Sequence, residues 1–103
     1  MNLTTDVMKN VNADVLKERG RQNKKWGLQR YEYSYWLAIL GEEFGEVCQA
    51  IQQGSVASKD SDADDLYTEL IHVAAVASAI AEQVREEKSL CQIANDVINR
   101  SKQ

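Results

Sequence analysis

The chain has 103 residues with no proline, a 44% hydrophobic content of which little is aromatic, and a net charge of −4 at pH 7 with a pI near 4.9. That length gives one domain around a single core and excludes two, and the missing proline together with apolar residues drawn mainly from Ala, Leu, Val and Ile favours an all-α fold over a turn-rich β fold. The acidic balance argues against a partner that is a nucleic acid polymer or a membrane surface.

The charge is unevenly spread. Residues 1–37 carry seven bases against four acids, and residues 38–103 carry five against twelve. Cys48 and Cys91 sit among apolar neighbours without metal-ligand spacing, which predicts buried free thiols and a reducing compartment. The start Met1-Asn-Leu-Thr-Thr-Asp6 does not read as a leader, and no run approaches the apolar length of a membrane span, so the expected location is the cytoplasm.

In chain order, Val7, Val11, Val15 and Leu16 repeat at helical spacing and predict a first helix over about 5–20, capped by Thr5 or Asp6 and fading near Gly20. Residues 21–33 have no clean period and read as a structured connector. A second helix is expected over about 34–53. The polar run from Gly54 to Asp62 reads as a loop whose acids suit the positive end of a following helix. That third helix, about 62–87, carries a stripe of Leu66, Leu70, Val73, Ala77, Ile80, Ala81 and Val84. Ser89-Leu-Cys-Gln92 fits a capping box and predicts a short fourth helix to about Arg100.

The second and third helices each contain an anomaly. Helical spacing gives Glu43 the neighbours Ile39, Leu40, Val47 and Ala50, all apolar, and Glu46 follows one turn later on the same side. Glu69 likewise has Leu66, Val73 and Val76 around it, with His72, the sole histidine, one turn on. An ionised carboxylate buried without a partner costs several kcal/mol, so basic side chains, bound protons or a cation must offset the charge. Residues 34–84 contain a single base, Lys59, in the loop, which makes a cation the economical answer. Oxygen ligands of this kind suit a hard ion such as Mg²⁺ or Mn²⁺.

Glu43-x-x-Glu46, 22 intervening residues and Glu69-x-x-His72 resemble the ExxE–spacer–ExxD signature of the MazG-like, all-α nucleoside triphosphate pyrophosphohydrolases. Arg19-Gly-Arg-Gln-Asn-Lys-Lys-Trp-Gly27 and Trp36-Leu-Ala-Ile-Leu-Gly-Glu-Glu-Phe-Gly-Glu-Val47 look like the segments before and across the motif helix of small bacterial and phage members, and Val73-Ala-Ala-Val-Ala77 looks like the segment after the second acidic pair. The resemblance implies a four-helix-bundle-like unit that assembles as a homodimer or tetramer. It also implies Mg²⁺-dependent, with Mn²⁺ possible, hydrolysis of (deoxy)nucleoside triphosphates to the monophosphate and pyrophosphate in nucleotide-pool house-cleaning. Carried over, it makes Glu43, Glu46 and Glu69 metal ligands and catalytic residues, with Glu42 beside them as an orienting group.

His72 departs from the signature's Asp. An imidazole adds no negative charge and suits Mn²⁺, Zn²⁺ or Fe²⁺ better than Mg²⁺. His72 therefore completes a softer metal set, weakens the site so that the chain is a nucleotide-binding or regulatory module, or stays off the metal and contacts phosphate or orients Glu69. Arg21, Lys24, Lys25 and Arg30 are the candidates for balancing charge on the phosphates. Trp26 is the candidate for stacking on the base, against a competing role in the core or an interface, and Trp36 is assigned to packing. Ile71, Ala75 and Ser78, on a further side of the third helix, are expected to face a second copy.

Overall fold

Gly20, expected to close the first helix, lies inside it. The computed structural model describes residues 3–53 and 65–102, and these form three helices: α1 (Leu3–Trp26), α2 (Tyr33–Gln52) and α3 (Leu66–Ser101). The expected loop from Gly54 to Asp62 falls outside the described residues. α1 stops at Gly27 instead, whose φ of +76° is the left-handed conformation that ends helices and that glycine adopts without penalty. Thr5 and Asp6 then fall within the first turn, not at the cap, and only residues 27–32 connect α1 to α2.

α3 begins where Asp65 accepts the Thr68 N–H at 2.9 Å, a side-chain N-cap. It runs without a break through the expected capping box. Ser89 Oγ donates instead to the Arg85 carbonyl one turn back, at 3.1 Å, so its hydroxyl is used inside the helix and opens no new one. The described residues thus hold three helices, and the segment read as a fourth is the end of α3. That end overhangs, because every residue from 85 to 102 is exposed.

α3 is the shared wall of the fold. α2 runs antiparallel to it, with Trp36 near the start of α2 bonded to Gln83 and Glu46 near its end beside Glu69, while α1 runs parallel to it, with Arg19 bonded to Ser78. α1 and α2 do not pack on each other. The core lies between α2 and α3 and comprises Trp36, Val76 and Ala79, flanked by Tyr31, Ile39, Leu40 and Ile80. Because α3 packs on two sides, its buried surface is not the expected single stripe. Ile71 and Ala75 are buried within the chain, correcting their assignment to a second copy, whereas Leu70, Ala77 and Ala81 are exposed.

Polar groups fasten the upper half. Gln83 Oε1 accepts Trp36 Nε1–H at 2.8 Å and the Tyr31 N–H at 3.1 Å, and Gln83 Nε2 donates to the Tyr31 carbonyl at 2.8 Å. Arg19 from α1 and Arg30 from the connection both bind Glu82, at 3.0 and 2.6 Å. No described helix is long and apolar enough to cross a membrane. The two cysteines are free, but Cys48 is half-buried and Cys91 exposed, because Cys91 lies on the overhanging end of α3.

Candidate metal centre

The antiparallel pairing of α2 and α3 sets one i,i+3 pair against another. Glu43 and Glu46 occupy successive turns of α2, and Glu69 and His72 the facing turns at the start of α3. Each of the four offers one ligand atom, and these atoms all lie within 4.8 Å of one another. Ligands on opposite sides of an ion with bonds of 2.0–2.6 Å stand about 4–5 Å apart, so the spacing suits a single divalent cation. Glu69 is 1% exposed and the other three half-buried.

The electrostatics carry the mark of crowded negative charge. Glu46 hydrogen-bonds Glu69, which requires a proton between two carboxyls. This bond first, then burial and the charge of Glu43, pushes the Glu46 carboxyl from 4.5 to about 7. Burial also raises the pKa of Glu43. Glu43 Oε2 is buried and has no hydrogen-bond partner among the described residues. Three carboxyls, one with its pKa raised to about 7 and one with an unbonded buried oxygen, form a donor set that a hard cation fits. An imidazole beside carboxylates is a donor type better suited to Mn²⁺, Zn²⁺ or Fe²⁺ than to Mg²⁺.

His72 lies among carboxylates on both sides. Its Nδ1 is 3.9 Å from Glu43 Oε2 and 3.8 Å from Glu69 Oε2, and its Nε2 is 3.9 Å from Glu18 Oε2. Glu42 is exposed and outside the four-residue set; its charge adds to the upward push on Glu43 and Glu46.

The cationic candidates divide. Arg21 stands beside the centre, but its guanidinium is held by Glu18 through Nε at 2.8 Å and Nη2 at 2.7 Å. Trp26 is 53% exposed, with Lys25 Nζ 4.7 Å and Arg21 Cζ 5.9 Å from its ring centroid. Lys24 is exposed in the last turn of α1. Arg30 does not join them. It binds Glu82 and Glu86, and Glu82 lies ten residues beyond His72, about 15 Å along the helix. Trp36 is 2% exposed and packs in the core as expected.

Residues that periodicity did not single out complete the surroundings. A cleft of about 260 Å³ between α1 and α3 is lined by Asp14, Lys17, Glu18, Arg21, Tyr67 and His72, among others. Tyr67 donates to Asp14 across it. The spacing of Glu18 to Arg21 and Gln22 is visible in the sequence as i,i+3 and i,i+4 pairs, but its approach to His72 exists only once α1 docks on α3. Arg21, foremost, and Gln22 hold the Glu18 carboxyl below its usual pKa, so it stays ionised.

Comparison of the chain with protein-family models, curated proteins and solved structures finds no match.

Proposed function

We propose that this chain is a divalent-metal-dependent pyrophosphohydrolase of (deoxy)nucleoside triphosphates, the activity implied by its resemblance to the MazG-like enzymes, acting on the cytoplasmic nucleotide pool. One observation carries the reading: Glu43, Glu46, Glu69 and His72, picked out by that resemblance, converge within 4.8 Å. Mg²⁺ or Mn²⁺, when bound, would neutralise phosphate charge and acidify water for attack on the α-phosphorus. The rest falls to the chain's own groups. Glu46, whose carboxyl is raised to about 7 beside Glu69, would release its proton to solvent on taking up the ion, and Lys17 and Arg21 line the cleft from which phosphates would be met. A cleft of about 260 Å³ is at the low end for a small-molecule site, so it takes part of the nucleotide rather than all of it. The exposed Trp26 ring offers a stacking surface for the base, tolerant of its identity.

A second reading, nucleotide binding without turnover, is favoured by His72 standing where the signature has Asp, and by Arg21 already being engaged by Glu18. Pyrophosphate release from a panel of NTPs and dNTPs, with Mg²⁺ and Mn²⁺ side by side, separates the two. The hydrolase reading expects turnover that Glu43→Gln abolishes. Folded protein that releases no pyrophosphate with either metal refutes it and leaves the binding module.

Self-association belongs to the same reading. Leu90, Ile93, Val97 and Ile98 are each about half or more exposed at helical spacing along the overhang of α3. The radius of gyration is 18.3 Å, against about 13 Å for a compact domain of this length. A second copy, in a dimer or tetramer, would supply the missing cover and the further helices of a bundle.

A further inference from the structure

The two nitrogens of His72 face opposite ways, and both sides are acidic. Nδ1 looks into the centre, toward Glu43 and Glu69, and Nε2 looks out to Glu18. Glu18 is itself fixed. Its Oε1 accepts Arg21 Nε at 2.8 Å, its Oε2 accepts Arg21 Nη2 at 2.7 Å and Gln22 Nε2 at 2.9 Å, and its side chain is only 10% exposed. A carboxylate held behind an imidazole stands on the side from which outer partners orient metal-binding histidines, which they do by accepting the second ring N–H.

We infer that Glu18 is a positioning residue for His72, setting Nδ1 as the ligating nitrogen with the remaining N–H on Nε2. The inference rests on the metal-dependent reading above. With a cation among Glu43, Glu46 and Glu69, a proton on Nδ1 is excluded, and the surviving N–H points at Glu18. At 3.9 Å the contact to Glu18 is electrostatic, about 1 Å longer than a hydrogen bond. Glu18 Oε2 already accepts two donors, one of them from Arg21.

The test is Mn²⁺ affinity, measured by electron paramagnetic resonance or calorimetry without nucleotide or turnover, in wild type, Glu18→Gln, His72→Asp and the double variant. Glu18→Gln should weaken Mn²⁺ binding several-fold, short of the roughly tenfold or more lost when a hydrogen-bonded outer partner is removed. In the His72→Asp background, where no imidazole needs orienting, the same change should cost less than about twofold. Equal losses in both backgrounds would mean that Glu18 acts only by docking α1, and an unchanged affinity would mean that it does not act; either overturns the inference while the metal reading stands. Wild type that fails to bind Mn²⁺ at millimolar concentration removes the metal reading itself. The single histidine gives one pair of imidazole ¹⁵N signals, so the Zn²⁺-loaded wild-type protein provides a check free of any variant. Coordination through Nδ1 is expected, and coordination through Nε2 would overturn the assignment.

Discussion

Glu46→Gln is expected to stabilise the metal-free protein at pH 8 and to weaken its response to metal. The Glu46 carboxyl titrates near 7 in the fold and near 4.5 when unfolded, so between those values the native state binds more protons than the unfolded one. Stability then falls as pH rises through this window, and above it the whole penalty is present. At about 1.4 kcal/mol per pH unit the limit is roughly 3 kcal/mol. Water reaches this half-buried group and screens it, which leaves about 1–2 kcal/mol, or roughly 5–10 °C in melting temperature for a chain of this size. Glutamine keeps the hydrogen bond to Glu69 through its amide N–H and cannot ionise. Circular dichroism melts in chelator should therefore place Glu46→Gln above wild type at pH 8 and level with it at pH 4.5. Mn²⁺ at a hundred times its dissociation constant should add about 2.7 kcal/mol to wild type and far less to the variant. A variant that melts at or below wild type in chelator at pH 8 would refute the shared proton and the crowding inferred from it.

His72→Asp adds a fourth carboxylate, so it should shift the metal preference from Mn²⁺ toward Mg²⁺, read from the ratio of pyrophosphate release with the two ions; an unchanged ratio would show that position 72 stays off the metal. Gln83→Ala leaves the Trp36 N–H and the Tyr31 backbone groups without their partner, and urea denaturation should record a loss of about 2–3 kcal/mol, whereas a loss under 0.5 kcal/mol would show that the network is not structural. Ile93→Glu, placed on the overhang of α3, should lower the mass seen by light scattering at micromolar concentration without lowering helix content, and a wild-type monomer would dismiss the assembly altogether.

The pattern of the sequence was readable where local spacing decides the outcome. The four converging residues could be found because each of Glu43 and Glu69 interrupts an apolar helical face, an irregularity that needs no tertiary knowledge. The end of α1 was misread because glycine's meaning depends on its backbone: Gly20 takes helical geometry, and Gly27, seven residues later, takes the positive φ that stops the helix. The buried face of α3 was misassigned because a helix packed on two sides has no single stripe, and the residue that helps choose the second side, Arg19, is charged. Its bonds to Ser78 and Glu82 span some sixty residues of sequence and leave no periodic trace. Arg30 lies away from the cluster for a similar reason, since composition shows a base near the site in sequence and not the acids of α3 that pair with it.

The absence of packing between α1 and α2 divides the molecule into units of unequal autonomy. The antiparallel pair α2–α3 carries Glu43, Glu46, Glu69 and His72 together with the apolar core, while α1 is moored to α3 by polar contacts from Asp14, Arg19 and their neighbours. Amide exchange should accordingly resolve two opening steps, with α1 released at a lower free energy and the paired helices protected to the global limit. During the first step these four side chains would remain assembled, and the wall that bears Glu18, Arg21 and Lys17 would lift away. The integrity of that cluster and access to the cleft beside it are therefore governed by separate equilibria within one short chain.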